Sequence, residues 1–119
     1  MQITLYGIPN CDTVKKARGW LSDQGVDYLF HDFKKAGLSR AMLEAWTGAV
    51  SWDALVNRRG TTWRGLPEAR RERVVDADSA MALMMESPSV VKRPVLAAFG
   101  GVHVGFSAEQ YSGIFSSNA

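Results

Sequence analysis

The first 33 residues read as a strand, a helix and a second strand, joined so closely that the two strands must lie parallel with the helix crossing between them. Gln2-Ile3-Thr4-Leu5-Tyr6 mixes apolar and β-branched residues with partial alternation, which suits a short strand, and Gly7 and Pro9 break the extended run. Val14, Ala17 and Leu21, flanked by Trp20, recur at three- and four-residue spacing, the pattern of an amphipathic helix that Gly25 is placed to stop. Val26 to Phe33 is rich in β-forming aromatics and reads as the second strand. Cys11, the only cysteine, then falls at or just before the helix N-terminus. Backbone N–H groups without intrahelical partners point there, and the helix dipole favours negative charge.

That position bears on reactivity because the thiolate, not the thiol, is the nucleophile. A helix-end interaction of about 0.3–1 kcal/mol, or ~2 kcal/mol when partly buried, is enough to bring a free cysteine from ~8.5 towards ~7. Lys15 and Lys16 add to the effect if their side chains lie over the sulfur; Asp12, a carboxylate beside the thiol, opposes it. The alternative reading is a small buried residue at a helix end, since free cysteine is among the most buried residue types.

One cysteine excludes a disulfide framework or a dithiol site within the chain, and it fits a reducing compartment. Met1 to Tyr6 carries no basic leader or apolar signal region, and no apolar run approaches a membrane span, so the expected location is cytoplasmic. With 119 residues, 46% hydrophobic and 22% charged, the chain is expected to form one domain, 1–119, able to bury a core without metal or disulfides. The net charge of +2 is unevenly placed: Arg58, Arg59, Arg64, Arg70, Arg71 and Arg73 face only Glu68 and Glu72, while the rest of the chain is net acidic. Such a segment reads first as a solvated helix face and second as a surface for an anionic ligand or acidic partner. Its charge density is below that of a dedicated nucleic-acid binder.

Downstream, Lys34-Lys35-Ala36-Gly37 reads as a loop, and Ser39 caps a helix carrying Met42, Leu43, Ala45 and Trp46, ended by Gly48. Ser51 caps a short turn through Leu55 and Val56; Arg58 to Gly65 is loop-like with Trp63 as anchor; Leu66-Pro67-Glu68 opens another helical segment. Asp78 is read as the cap of a helix from Ser79 to Glu86, whose methionines are core filling, and Ser87-Pro88 closes it. Val95 to Phe99 makes a third strand, Gly100-Gly101 a hairpin turn, and Val102 to Phe106 a fourth strand. Ser107 with Gln110 forms a capping box before a last helix with Tyr111, Ile114 and Phe115 inward. His31 and His103 have no metal-binding spacing with one another or with Cys11.

That order, with a cysteine at the first helix and a proline opening the third strand, resembles a thioredoxin-type fold. The expected architecture is α/β: a four-stranded mixed sheet in the order β-α-β … β-β-α, with a helical insertion at about 38–88 between strands 2 and 3. Tyr6-x-x-Pro9-x-Cys11, Asn57-Arg58-Arg59-Gly60-Thr61-Thr62-Trp63, Lys92-Arg93-Pro94 and Val104-Gly105-Phe106-Ser107 together resemble the arsenate reductase-related (ArsC) family. That family includes glutaredoxin-coupled arsenate reductases, the Spx transcriptional regulators and a YffB-type branch, to which this chain is most similar. The resemblance implies that Cys11 is the catalytic cysteine, Arg93 an arginine beside it that binds the oxyanion, and Pro94 a cis-proline facing it. On the residues alone, Arg93 reads as a surface arginine preceding a strand.

The departures from that pattern matter equally. Where the arsenate reductases carry a second and third site arginine, this chain has Asn57 and Phe106, with Arg58 or Arg59 able to replace the first; Gly7 stands in place of a histidine. An arsenate oxyanion would lose much of its charge-assisted binding. The Cys-x-x-Cys switch of the regulators is also absent, because Cys11-Asp12-Thr13-Val14 ends in valine. The expectation is therefore a monothiol reductase with Cys11 as nucleophile and glutathione as co-substrate and resolving thiol, since the chain supplies no second cysteine. Arg93, with Arg59 or Lys15, would hold a glutathione carboxylate or stabilise the thiolate, and Arg58 and Asn10 complete the candidate binding set. Expected partners are glutathione, and glutaredoxin or a protein mixed disulfide; no metal, membrane or direct nucleic-acid contact is expected. The contrasting reading is a non-enzymatic regulator that docks on RNA polymerase, with the arginine-rich segment as its contact surface; weak arsenate reduction is the third.

Overall fold

The strand that leads into Cys11 lies inside the sheet, not at its edge. In a computed structural model that describes residues 2–119, β1 (Thr4–Gly7) pairs parallel with β2 (Leu29–Asp32) and antiparallel with β3 (Val95–Ala98); β4 (Gly101–Val104) completes the order β2-β1-β3-β4. This is the mixed four-stranded, thioredoxin-like sheet expected. The chain divides into two compact units. One runs to Asp32 and resumes over Arg93–Ala119, holding the whole sheet; the other is helical and spans Phe33–Lys92.

In the sheet unit, Leu5 pairs with Phe30 on one side and Leu96 on the other. Leu5, Leu96 and Ala98 pack with Ala17 and Leu21 of α1 (Asp12–Asp23) and Tyr111 of α8 (Ala108–Ser117), all six buried. Trp20, Phe106 and Phe115 surround the Tyr111 ring at centroid distances of 5.6, 4.7 and 6.5 Å. The Tyr111 hydroxyl has no hydrogen-bond partner, and burial pushes its ionisation well above the usual phenol range.

Gly25 stops α1 as its sequence position suggests. Its φ is +69°, its N–H donates to the Ser22 carbonyl at 3.0 Å, and the Val26 N–H donates to that of Leu21 at 2.9 Å, a complete Schellman closure. Making that closure occupies Val26, so β2 starts only at Leu29, later than the aromatic run suggests. Gly7 does not break β1 but is its last paired residue, opposite Asp32. The β3–β4 turn is centred one residue earlier than the glycine pair implies: Ala98 pairs with Gly101, so Phe99 (φ 54°) and Gly100 (φ 76°) are the two left-handed positions. A bulky residue is unusual there; the Phe99 ring packs edge-on against Phe115 at 5.4 Å. At α8, Ser107 accepts the Gln110 N–H at 3.0 Å, but the Gln110 amide donates to the Val104 carbonyl at 3.4 Å, so only one arm of the capping box forms.

The helical unit comprises α2 (Phe33–Ala36), α3 (Arg40–Ala49), α4 (Trp52–Leu55), α5 (Thr61–Arg64), α6 (Glu68–Glu72), α7 (Ala77–Glu86) and a 3-10 turn at Pro88–Val90. Ser39 and Ser51 cap α3 and α4 as expected. α7 buries Ala80, Met81, Leu83 and Met84 and packs on α3 and α4. The unit starts before position 38 because the expected Lys34–Gly37 loop begins as a turn of helix anchored by the buried Phe33. Likewise, α5 forms inside the segment read as loop, and α3 runs one residue past Gly48, to Ala49.

The cap of α7 is Asp76, not Asp78. Asp76 accepts the Ser79 N–H at 2.9 Å while the Ser79 hydroxyl receives the Asp76 N–H at 3.1 Å, and Asp78 pairs with Arg40. The Ser79 N–H and hydroxyl hold the Asp76 carboxyl below its ordinary range. A depressed folded value means the cap contributes fully above the unfolded value of ~3.9 and is lost as pH falls through the folded one. Asp76→Ala should therefore lower the thermal midpoint at neutral pH, and the difference from wild type should begin to close below about pH 4. A difference independent of pH would assign the effect to helix propensity.

Candidate active site

Cys11 occupies the N-cap of α1, with extended backbone angles (φ −121°, ψ 127°), and its carbonyl accepts the Lys15 N–H at 2.9 Å. Its side chain stands where a serine or aspartate would bond the amides of the second and third helical residues. No cap hydrogen bond of ordinary geometry forms to the sulfur. The Thr13 and Val14 N–H groups nevertheless point at it, and toward a thiolate they act as dipoles on a charge.

Four influences set the acidity of this thiol. Burial of the sulfur pushes it up. The Val14 N–H, the Arg93 guanidinium (through a hydrogen bond and its charge) and the Thr13 N–H together outweigh that, and leave Cys11 below the ordinary cysteine value. Lys15, Lys16 and Asp12, which the sequence places beside the sulfur, are all exposed and are not among the groups that shift it. The two amides are the functional groups that residue types alone do not reveal; the only signal for them is the N-cap position of Cys11.

Arg93 reaches the sulfur because of strand register. Tyr6 pairs with Val95, so the residues just before β3 lie beside the loop that leaves β1 and enters α1. Pro94 is buried, its peptide bond with Arg93 is cis, and its carbonyl accepts the Gly105 N–H at 2.8 Å. The sheet unit thus brings together Cys11, Arg93 and Pro94, with Asn10 exposed in the preceding turn and Lys15 exposed one turn into α1.

Arg58 and Arg59 belong to the helical unit. With Asp53, Ala54, Val56, Asn57 and Lys92 they line an open groove of about 470 Å³. Arg58 is engaged there: it pairs with Asp53, and its guanidinium lies 5.7 Å from both the Trp52 and Trp63 rings. The exposed Arg59 donates its backbone N–H to Asn57 Oδ1 at 3.1 Å. Phe106 is committed to packing on Tyr111, and the His31 ring lies 5.1 Å from Tyr6. Among the described residues, no group of three His, Cys, Asp or Glu side chains could hold a metal ion, and no helix is long and apolar enough to cross a membrane.

The model of the ArsC family matches residues 6–114. The chain belongs to the ArsC family. A solved YffB protein superposes on this ArsC-family chain with a TM-score of 0.89 at 44% identity, covering 94% of this chain and 97% of that one. The solution structure of an arsenate reductase (ArsC) related protein from Brucella melitensis is 54% identical, with a TM-score of 0.75 and coverage of 97% and 95%. The global transcriptional regulator Spx of Streptococcus pyogenes is 23% identical over 116 residues, 96% of this chain and 85% of the regulator. The proteins it is similar to thus include one named as arsenate reductase-related and one named as a transcriptional regulator.

Proposed function

We propose that this ArsC-family protein is a reductase that works through Cys11 with glutathione as co-substrate, in a reducing, cytoplasmic setting. The observation that carries the reading is the acidified Cys11 thiol, held between two helix-end amides and the Arg93 guanidinium in a chain with no second cysteine. The Cys11 thiolate attacks the glutathione sulfur of a mixed disulfide, a Cys11–glutathione disulfide forms, and the substrate leaves as its thiolate. A second glutathione thiolate then attacks the glutathione sulfur of that disulfide. Oxidised glutathione departs and Cys11 returns as thiolate; the incoming glutathione is the reductant, and it leaves joined to the glutathione that the substrate carried. Glutaredoxin can serve in place of the second glutathione. Arg93 lowers the energy of the attacking and departing Cys11 thiolate in both steps.

Oxidised glutathione should load one glutathione on Cys11, seen as a single mass increment that reductant removes, and reduced glutathione should sustain turnover of a small mixed disulfide. A Cys11→Ser variant should do neither. Adduct formation without turnover would favour the regulator reading, which the likeness to Spx supports, and capture of RNA polymerase would be its test. Efficient arsenate turnover would show that the helical unit, through Arg58 or Arg59, supplies the missing oxyanion charges.

A further inference from the structure

Arg18 sits on α1 seven residues after Cys11, about two helical turns or roughly 10 Å along the axis. Lys15 and Arg18 fall on one stripe of α1, at a three-residue spacing on a helix of 3.6 residues per turn, and that stripe leads back to the Cys11 position at the N-cap. Arg18 is held in place from β2 and the segment before it. Its guanidinium lies 4.1 Å over the Phe30 ring, and its Nε donates to the Tyr28 hydroxyl at 3.1 Å. Those contacts use the face of the guanidinium and one of its five N–H donors, leaving the terminal fork uncommitted. No carboxylate pairs with it among the described residues: the ion pairs belong to Arg40, Arg58 and Arg70.

An arginine fixed by an aromatic face and a phenol, without an acid of its own, has lost much of its rotamer freedom before any ligand arrives. Its fork matches the two oxygens of a carboxylate. A cation used only to cover Phe30 would serve equally well as an apolar chain, whereas the orienting bond to Tyr28 fixes the direction of the donors.

We propose that Arg18, assisted by the exposed Lys15, is a carboxylate-recognition point for the glutathione unit that meets Cys11. This rests on the reductase reading and narrows it: the disulfide substrate is selected for a carboxylate that meets Arg18 further along α1 while its sulfur meets Cys11. Arg18 touches the ligand far from the reacting atoms, so it contributes to the encounter and leaves the nucleophile unchanged.

The test measures the second-order rate of adduct formation at Cys11, by intact mass, with oxidised glutathione and with its fully ethyl-esterified form, which lacks carboxylates. Wild type should react about three- to tenfold faster with the acid than with the ester, and added salt should shrink that preference. Arg18→Met, which keeps the apolar cover over Phe30, should abolish most of the preference, while Arg18→Lys should retain part of it. Reaction of Cys11 with neutral iodoacetamide should be the same in all three proteins, because Arg18 is not among the groups that set the thiol. A wild type indifferent to esterification, or an Arg18→Met variant as discriminating as wild type, overturns the proposal. Turnover is a separate readout: if the discrimination follows Arg18 but no turnover occurs with glutathione, carboxylate recognition stands and the reductase reading fails.

Discussion

Arg93→Ala should slow the reaction of Cys11 with a disulfide by roughly ten- to a hundredfold at neutral pH, the effect of losing a charge-assisted hydrogen bond of about 1.5–3 kcal/mol. Arg93 both bonds the sulfur and places a charge beside it, and without it burial is opposed only by the Val14 and Thr13 amides. The thiol should therefore move up, and the alkylation rate should titrate with its midpoint closer to ~8.5 or above it, instead of below. The sign fixes where the deficit lies: it is largest at pH values below the variant's midpoint, where wild type carries the larger thiolate fraction. For alkylation by a neutral reagent, rates should converge once both proteins are thiolates. For a disulfide with carboxylates, any deficit that survives at high pH measures contact of Arg93 with the ligand. Arg93→Lys should recover part of the shift, since the charge remains but the planar fork does not. Unchanged kinetics in Arg93→Ala, with an unchanged midpoint, would reduce Arg93 to a structural residue.

Arg93 also marks where sequence reasoning runs out. Cys11 at a helix N-terminus is legible from local pattern, because Gly7, Pro9 and the Val14–Ala17–Leu21 spacing all lie within one turn-and-helix unit. Arg93 is far along the chain, and it arrives at the sulfur only through the β1–β3 register. Nothing local distinguishes it from a surface arginine, so its place beside Cys11 came from the resemblance. Lys15 and Lys16 would add to the acidity only if they lay over the sulfur; both are exposed and neither is among the groups that lower the thiol. In the fold, caps with a single geometric solution (Ser39, Ser51, Ser107, Gly25) were legible. Asp78 was the expected cap of α7, but the reciprocal bond with Ser79 belongs to Asp76, so the helix begins two residues earlier than its apolar run suggests. The β3–β4 turn was misplaced by one residue because the glycine pair suggested that both left-handed positions would be glycine. The Phe99–Phe115 contact accompanies a phenylalanine in one of them.

Gly7→Ala should destabilise the protein by about 1–3 kcal/mol, the cost of overpacking a core that has no room to relax. A Cβ on Gly7 would stand 2.9 and 3.0 Å from the two Val14 methyl carbons and 3.6 Å from the Phe30 ring. Real side chains do not approach so closely, and Val14 has little means of escape: it is fully buried, and a β-branched residue in a helix is confined to essentially one χ1 well. The strain must therefore move the first turn of α1 away from β1. That turn carries the Val14 N–H, one of the groups that lower the Cys11 thiol, so the variant should lose thiol acidity as well as thermal stability. Val14→Ala removes the methyls that clash, at the cost of a cavity. If the steric account holds, the Gly7→Ala/Val14→Ala double variant should be more stable than the sum of the single losses by about 0.5–3 kcal/mol, and its alkylation midpoint should return towards that of wild type. Simple additivity of the two losses would mean that Gly7 is required for backbone conformation and not for the close approach of β1 to α1. Gly7 has no positive φ to support that alternative, which makes the packing account the one the geometry carries.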